Sequence, residues 1–260
     1  FNRTTGVSTL NQTRDVLPGL TVGFQANDQW FVYADGQRSM RAPQVTQIIF
    51  GNNLDAELAW NYELGTRYQP NERTRIQVGA YLIDFDQQIQ LDNTTRVFRN
   101  LGKTRHQGGE LELQWSPEQL RALTLNAGYA YLDARQESGA FDGLRVPYTS
   151  RNQITLGGTY ALGHTTVALS SYYFSKAYSD AANTVQENAI ASVGELPSYW
   201  VWNTQVSHTL LESGGQKLSA SLAINNLFDR QYWFRGVDTS PWGRQAAPGR
   251  TVTAGLEYTF

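Results

Sequence analysis

The last stretch of the chain, residues 250–260, alternates strictly between apolar and polar side chains. One face of this predicted strand carries only apolar residues: Val252, Ala254, Leu256, Tyr258 and Phe260. Side chains that repeat every two residues are typical of a β-strand with one apolar and one polar face. An exposed apolar strand at a sheet edge promotes aggregation in a soluble protein, whereas a closed transmembrane β-barrel has no edge. The pattern therefore favours a barrel strand, with the last strand of a soluble β domain as the alternative.

The same alternation recurs along the chain and predicts about eleven strands. In chain order they cover residues 20–25, 30–37, 57–68, 73–85, 110–115, 123–131, 153–160, 167–176, 200–206, 218–225 and 250–260. Many are long enough to cross a hydrocarbon core at a tilt. On the second strand, Phe31 and Tyr33 are expected to lie on the outer face.

The connections between these strands alternate between short turns and long loops. Outer-membrane barrels have this asymmetry, with short periplasmic turns and longer extracellular loops. An immunoglobulin-like sandwich has turn signals more often, and no helical patterns separate the strands as an α/β fold requires. The carboxylates give the orientation, because in the opposite register Glu63, Glu110, Glu112 and Glu257 would face lipid, where a charge is destabilising. We expect the apolar face to meet lipid and the carboxylates to line the lumen.

Composition supports a membrane barrel and argues against several other classes. The 260 residues include 14 Tyr, 11 Phe and 7 Trp, and such aromatic residues form girdles at membrane interfaces. No apolar run is long enough for a transmembrane helix. The formal net charge of −2 gives no reason to expect nucleic acid as a partner. The absence of cysteine excludes disulfides and thiolate metal sites. The chain opens at Phe1 without a leader, so an export signal is expected to be removed or to lie upstream.

An odd number of strands indicates that the chain is part of a barrel. Bacterial single-chain barrels have an even number of strands. An eleventh strand without a partner would leave unpaired backbone groups in hydrocarbon. We therefore expect further strands of the same barrel outside residues 1–260.

Several sequence runs resemble those of TonB-dependent outer-membrane receptors. They are spread over most of the chain in the family's order: Trp60–Gly65, Gly102–Arg105 followed by Gly109–Glu112, Asn225–Asp229, and Pro248–Thr251. The loop 180–187, followed by Gly194–Pro197, is similar to the ferric citrate receptor subgroup. The resemblance implies an all-β, antiparallel transmembrane barrel of 22 strands, of which residues 1–260 form the C-terminal half. The plug domain and the N-terminal strands would precede Phe1.

The resemblance also implies a function in the bacterial outer membrane. It implies uptake of a ferric siderophore, which is ferric citrate in this subgroup, with energy delivered by TonB through the plug. Iron would arrive inside its chelate, so no resident cofactor or metal ligand is expected. In the subgroup a glutamine of a loop in this half contributes to ligand binding, and either Gln88 or Gln90 is the nearest match in this sequence.

Arginines in the long loops extend the candidate binding site independently of the resemblance. A guanidinium group binds a carboxylate through two parallel, charge-assisted hydrogen bonds. The candidates are Arg41, Arg96, Arg99, Arg235 and Arg244. Each would otherwise be an ordinary solvated loop charge.

No pattern in the sequence indicates an enzyme. His106, His164 and His208 are scattered, and no nucleophile motif surrounds a serine. Besides a receptor for ferric citrate or another ferric siderophore, a passive porin would share the alternation and the girdles. An outer-membrane enzyme or a soluble β-rich binding protein is a further alternative, which the apolar strand faces disfavour. The sequence upstream of Phe1 would separate receptor from porin, because only the receptor needs a plug.

Overall fold

The computed structural model describes residues 14–48, 53–92, 95, 97–190, 192–234 and 245–260. Its strands, in chain order, are β1 (Gly19–Gln25), β2 (Trp30–Arg41), β3 (Glu57–Asn71), β4 (Thr74–Asp86), β5 (Ile89–Asp92), β6 (Val97–Asn100), β7 (Thr104–Trp115), β8 (Leu123–Gln136), β9 (Asn152–Leu162), β10 (Thr165–Phe174), β11 (Ala177–Tyr178), β12 (Glu195–Leu196), β13 (Tyr199–Ser213), β14 (Gln216–Asn225), β15 (Trp233–Phe234), β16 (Gln245–Ala246) and β17 (Thr251–Thr259). The helical segments are one turn of α-helix, α1 (Val45–Ile48), and the 3₁₀ turns Glu118–Leu120 and Gly139–Phe141.

Eleven strands form one antiparallel sheet, and each of these eleven pairs with the one that follows it in chain order, apart from the short strands inside the loops. Its order is β1-β2-β3-β4-β7-β8-β9-β10-β13-β14-β17. The remaining strands form three small two-stranded sheets inside the long loops. Short turns at one end of the sheet therefore alternate with long loops at the other end. This topology confirms the predicted all-β, antiparallel fold and its eleven strands, which form part of a barrel.

The register of the sheet places the apolar residues of neighbouring strands on one continuous face. In the last pair, Leu222 lies opposite Ala254, and Ala220 lies opposite Leu256. Directly opposed residues of antiparallel strands share a face, so the apolar rows of β14 and β17 coincide. Leu256 is 76% exposed, and many large apolar side chains of the other strands are also exposed. An apolar face that no other layer covers suits contact with lipid.

Aromatic side chains lie near both ends of this outer face. At the short-turn end, the rings of Trp30 and Tyr68 stack with their centroids 4.3 Å apart. At the long-loop end, Trp200 and Trp202 stack at 5.7 Å, and Tyr173 lies 5.8 Å from Trp200. Two aromatic rows separated by aliphatic residues match the girdles of a transmembrane barrel.

Beyond the aromatic row at the long-loop end, the outer face becomes charged. Arg105 forms an ion pair with Asp84 at 2.7 Å, and Arg135 pairs with Asp133 at 2.9 Å. These residues follow the apolar positions on the same face of β4, β7 and β8. This charged band, defined by Asp84, Arg105, Asp133 and Arg135, lies where the strands continue past the apolar zone.

The prediction that Phe31 and Tyr33 face outward is wrong. Tyr33 lies opposite Gly65 and donates a hydrogen bond from its hydroxyl to Glu63 at 2.5 Å, on the carboxylate side of the sheet. The Phe31 ring lies on the same side, 5.2 Å from the guanidinium carbon of Arg67. Both rings cover glycines of adjacent strands, since a Cβ on Gly65 would lie 2.4 Å from the Tyr33 ring. An inner aromatic ring over a glycine fills the space of the missing side chain.

Gly108 on β7 is a position where the barrel wall leaves no room for a side chain. A Cβ there would lie 2.1 Å from the carbonyl oxygen of Tyr131, a backbone atom that moves only with its strand. We expect Gly108→Ala to destabilise the assembled full-length barrel by about 1–3 kcal/mol, the usual cost of overpacking. The check is the temperature at which the folded form is lost in semi-native electrophoresis. Gly157→Ala is the matched control, because its nearest neighbour would be 3.8 Å away; an equal loss in both variants would contradict this explanation.

The buried apolar residues lie in the loops more than in the sheet. The main cluster, Leu54, Ile89 and Phe98, joins two long loops at one end of the sheet. Within the described residues, no helix has the length and apolar character needed to span a membrane. The packing therefore orders the loop end of the sheet.

Candidate functional site

Three long loops converge on a polar cleft at the long-loop end of the sheet. The loops cover residues 42–56, 87–103 and 137–151, and the cleft has a volume of about 260 Å³. It is lined by Arg41, Gln44, Gln47, Gln88, Ile89, Gln90, Leu91, Phe98, Val146, Pro147, Tyr148 and Thr149. One guanidinium, four amides and two hydroxyls thus face a common space.

The structure brings together three of the seven residues that the sequence predicts for ligand binding. Arg41, Gln88 and Gln90 all line the polar cleft. Arg99 lies opposite Gln90 on the hairpin of β5 and β6, but it is exposed and does not line the cleft. Arg96, Arg235 and Arg244 lie outside the described residues. The binding role of all seven stays a prediction.

The described parts of the loops 42–56 and 87–103 pack against each other. Leu54 of the first loop contacts Ile89 and Phe98 of the second in the buried cluster. Asn100 reinforces this contact, since its amide nitrogen donates to the carbonyls of Asp55 at 3.1 Å and Gln87 at 2.6 Å. The Asp55 amide donates in return to the Asn100 side-chain oxygen at 3.0 Å. These contacts hold the cleft residues of both loops in a fixed relation.

Glu57, the first residue of β3, anchors the floor of the cleft. Its side chain is 6% exposed, and one carboxylate oxygen accepts a hydrogen bond from the Nε of Arg41. The other oxygen accepts the backbone N–H of Ile89 at 2.6 Å. The carboxylate therefore orients the Arg41 guanidinium and ties it to the residue between Gln88 and Gln90. A guanidinium held at Nε still has its two terminal nitrogens to bind an oxyanion.

The two predicted glutamines are held differently. The buried Thr104 hydroxyl donates to the side-chain oxygen of Gln88 at 2.7 Å, which leaves the Gln88 amide nitrogen as a donor. The side-chain oxygen of Gln90 is buried and has no hydrogen-bond partner within the described part of the chain. Burying a hydrogen-bond acceptor without a partner costs free energy. Such unpartnered groups are rare in folded proteins and often belong to functional sites. Among the described residues, the Gln90 side-chain oxygen is thus a buried acceptor without a protein donor.

The third wall of the cleft, residues 146–149, is fixed by the neighbouring loop 175–198. The Asn183 side chain accepts the backbone N–H of Arg145 at 2.8 Å and donates to the Arg145 carbonyl at 2.9 Å. The Tyr148 N–H donates to the Tyr178 carbonyl at 2.7 Å. Burial, and then the nearby Arg151, lower the pKa of the Arg145 guanidinium, which donates to the Thr149 carbonyl at 2.8 Å. This wall is a rigid counterpart to the first two loops.

A second, aromatic cleft lies beside the polar one. It has a volume of about 240 Å³ and is lined by Tyr148, Ser150, Phe174, Ser175, Ala177, Leu196, Pro197, Tyr199 and Trp233. The Phe174 and Tyr199 rings stack at 5.3 Å, and Tyr199 lies 4.6 Å from Tyr232. Tyr172 and Tyr232 are joined through their hydroxyls at 3.1 Å. This cleft offers ring faces where the polar cleft offers hydrogen-bond donors.

Sequence reasoning missed several residues that line these two clefts or hold the lining residues in place. Gln44 and Gln47 follow Arg41 closely in the sequence. Their side-chain amides, next to a candidate arginine, could have marked them as candidate ligand-binding residues. Glu57, Thr104 and Tyr148 had no such signal, because their roles depend on contacts between distant loops. In the described part of the chain, no group of three or more His, Asp or Glu residues is arranged to hold a metal ion. The polar cleft can accept a small solute rich in oxygen acceptors.

Comparison with known proteins identifies relatives of the whole sheet. The family model described as TonB dependent receptor-like, beta-barrel, matches residues 1–227. The chain is 26% identical over 256 residues to the pesticin receptor of Yersinia pestis, covering 94% of this chain and 36% of that protein. It is 28% identical over 191 residues to the ferrioxamine B receptor of Salmonella typhimurium, covering 70% of this chain and 26% of that protein. The chain thus spans well under half of the length of these relatives.

Solved structures share the architecture. The unliganded ferric citrate transporter FecA superposes with a TM-score of 0.78 and 30% identity, covering 94% of this chain and 38% of that one. The ferric yersiniabactin uptake receptor FyuA from Yersinia pestis superposes with a TM-score of 0.70 and 20% identity, covering 93% and 36%. At 20% identity, the similarity to FyuA is evidence for a shared fold and for nothing further. The sheet described above therefore corresponds to part of a larger barrel in both proteins.

Proposed function

Because this chain belongs to the TonB-dependent receptor-like β-barrel family, we propose that it forms the C-terminal half of a bacterial outer-membrane receptor for a ferric chelate. The whole of residues 1–260 is barrel in this proposal, and the remaining strands and a plug complete the receptor. The partners are outer-membrane lipid, the ferric chelate, and TonB, which acts through the plug. The chain carries the barrel wall and the loops that meet the ligand, and it is not an enzyme.

Within this class, ferric citrate is the chelate that we propose. The unliganded ferric citrate transporter FecA has 30% identity with this chain, and the loop 180–187 resembles that subgroup. Ferric citrate is small, anionic and rich in carboxylate oxygens, so it requires hydrogen-bond donors that converge from several directions. Iron enters as cargo inside the chelate and needs no ligand from the protein.

The main support for the proposal is that Arg41, Gln88 and Gln90 line one cleft. Glu57 orients the guanidinium, and the Thr104 hydroxyl holds the side-chain oxygen of Gln88. Charge-assisted and amide hydrogen bonds inside a partly closed cleft are stronger than those in open water. Such a donor set matches the carboxylates of a citrate complex.

We expect Gln88→Ala combined with Gln90→Ala to weaken ferric citrate binding by the full-length receptor. Loss of hydrogen bonds to a charged ligand costs about 1.5–3 kcal/mol, which is roughly tenfold to hundredfold in Kd. The measurement is equilibrium binding of radiolabelled ferric citrate to cells that carry the double variant. Gln114→Ala is the control, because Gln114 lies on β7 near the short-turn end and away from the cleft.

Three results would count against this proposal in different ways. Unchanged affinity of the double variant at normal surface expression would remove both glutamines from the site. Failure of the wild-type receptor to bind ferric citrate would reject the chelate and leave the receptor class in place. A receptor that passes small solutes without TonB would instead favour the porin alternative.

The aromatic cleft supports a second candidate, a ferric chelate with phenolate or catecholate arms. Stacked rings such as those of Phe174 and Tyr199 attract planar aromatic groups rather than carboxylates. The same binding assay, repeated with a ferric catecholate, separates the candidates. Tighter binding of the catecholate than of ferric citrate would select the second one.

A further inference from the structure

Tyr148 lies in the wall between the two clefts at the long-loop end. It lines the polar cleft together with Val146, Pro147 and Thr149, and it lines the aromatic cleft together with Ser150. The segment 146–150 therefore has one cleft on each side. Tyr148 is the residue that the two lining sets share.

The backbone of Tyr148 has a conformation that tyrosine rarely adopts. Its φ angle is 59°, in the left-handed region where a side chain crowds the backbone. Such a conformation persists only where surrounding contacts impose it, and it is most common at functional sites. A glycine or asparagine at this position would adopt the same φ more easily, so the conformation itself does not explain a tyrosine.

The surrounding contacts hold Tyr148 firmly in this conformation. Its N–H donates to the Tyr178 carbonyl at 2.7 Å, which ties it to the next loop. On its C-terminal side, the Thr149 hydroxyl donates to the Val146 carbonyl at 2.5 Å and closes a tight turn. The Arg145 guanidinium donates to the Thr149 carbonyl at 2.8 Å. The backbone beneath the ring is thus anchored on both sides.

We propose that Tyr148 is a specificity-determining residue that separates the polar cleft from the aromatic cleft. This inference rests on the proposed function as a ferric chelate receptor, but it does not require that the chelate be ferric citrate. With the ring in place, the polar cleft accepts compact carboxylate chelates and the aromatic cleft is closed to their arms. Without the ring, the two clefts join into one cavity that carries hydrogen-bond donors at one end and ring faces at the other.

The joined cavity would fit a larger chelate with both carboxylate and phenolate arms. Its carboxylates would meet the Arg41 guanidinium and the Gln88 amide, and its phenolate rings would stack near Phe174 and Tyr199. A suitable probe is the ferric complex of the synthetic chelator bis(hydroxybenzyl)ethylenediamine-diacetate, which has two arms of each kind. Its affinity relative to ferric citrate reports the selectivity of the site.

The test compares Tyr148→Gly, Tyr148→Asn and Tyr148→Phe in the full-length receptor. Glycine and asparagine tolerate the left-handed backbone and remove the ring, whereas phenylalanine keeps the ring and lacks only the hydroxyl. We expect the first two variants to shift the affinity ratio toward the phenolate chelate by about tenfold, as one new aromatic contact would give. Tyr148→Phe should keep the wild-type ratio.

Three outcomes would overturn the inference. They are an unchanged ratio in both ring-free variants at normal surface expression, an equal shift in Tyr148→Phe, and an equal loss of both chelates together with lower heat stability. The last is the result expected of a purely structural residue. If wild-type receptor binds no ferric citrate, the absolute affinity for the phenolate chelate replaces the ratio. A rise in the glycine and asparagine variants alone would then support the partition, and no rise would reject it.

Discussion

Arginine in place of Leu256 is expected to prevent assembly of the full-length barrel, whereas arginine in place of Thr253 should leave most of it intact. The two residues lie on β17 and belong to opposite faces of the sheet. Leu256 lies opposite Ala220 on the apolar face, and Thr253 lies opposite Ala223 on the polar face. A charged side chain that faces lipid near the bilayer midplane costs about 2–4 kcal/mol, and one that faces the lumen remains hydrated.

The measurement is the yield of heat-modifiable barrel in outer-membrane fractions, at matched expression of the two variants. Leu222→Arg on the adjacent strand is a second test, because Leu222 belongs to the same apolar face opposite Ala254. Equal yields for Leu256→Arg and Thr253→Arg would show that the sheet does not present these faces to lipid and lumen as described.

Removal of the Glu57 carboxylate is expected to weaken chelate binding by about a hundredfold. Glu57→Ala leaves the Ile89 N–H without its acceptor and the Arg41 guanidinium without its anchor. Two hydrogen bonds to a buried charge, at about 1.5 kcal/mol each, amount to about 3 kcal/mol of cleft order that ligand binding would have to restore, or a hundredfold in Kd. Binding is affected because Glu57 holds two parts of the cleft in place, the Arg41 guanidinium and the backbone at Ile89.

Glu57→Gln separates the two roles of this side chain. The amide oxygen can still accept the Ile89 N–H, but the neutral group no longer forms an ion pair with Arg41. We expect a loss of binding intermediate between wild type and Glu57→Ala, measured with radiolabelled ferric citrate on whole cells. Limited proteolysis of the ligand-free receptor should show faster cleavage in loops 42–56 and 87–103 for Glu57→Ala alone. Wild-type binding by both variants would mean that the anchor is irrelevant to the ligand.

The sheet was predictable because its signal is local. Each strand shows its two faces in its own alternation, and the eleven strands appear in the structure near their predicted positions. Phe31 and Tyr33 were misassigned because an aromatic side chain was taken to face lipid. Their actual position depends on glycines in neighbouring strands, such as Gly65, and single-strand periodicity does not report pairing. Several strands also extend further toward the loops than predicted, where charged residues on the outer face interrupt the apolar pattern.

The candidate site was predictable only in part. Arg41 was a candidate because guanidinium groups in long loops suit carboxylates, and Gln88 and Gln90 were candidates through the family resemblance. Their meeting in one cleft depends on the Leu54, Ile89 and Phe98 cluster, which the sequence does not reveal. Tyr148 was not a candidate because its position between two clefts depends on the packing of separate loops. The choice of chelate stays a prediction, since the similar receptors named above differ in what they take up.

The charged band of Asp84, Arg105, Asp133 and Arg135 has a consequence for the height of the barrel in a bilayer. Lowering the barrel by one residue pair would move these ion pairs into hydrocarbon, and raising it would expose apolar residues to water. Both displacements are unfavourable, so a bilayer of different thickness must deform around the barrel. In the proposed outer-membrane receptor, the loops that form the two clefts are therefore kept at a constant distance above the membrane surface, within reach of solutes from outside.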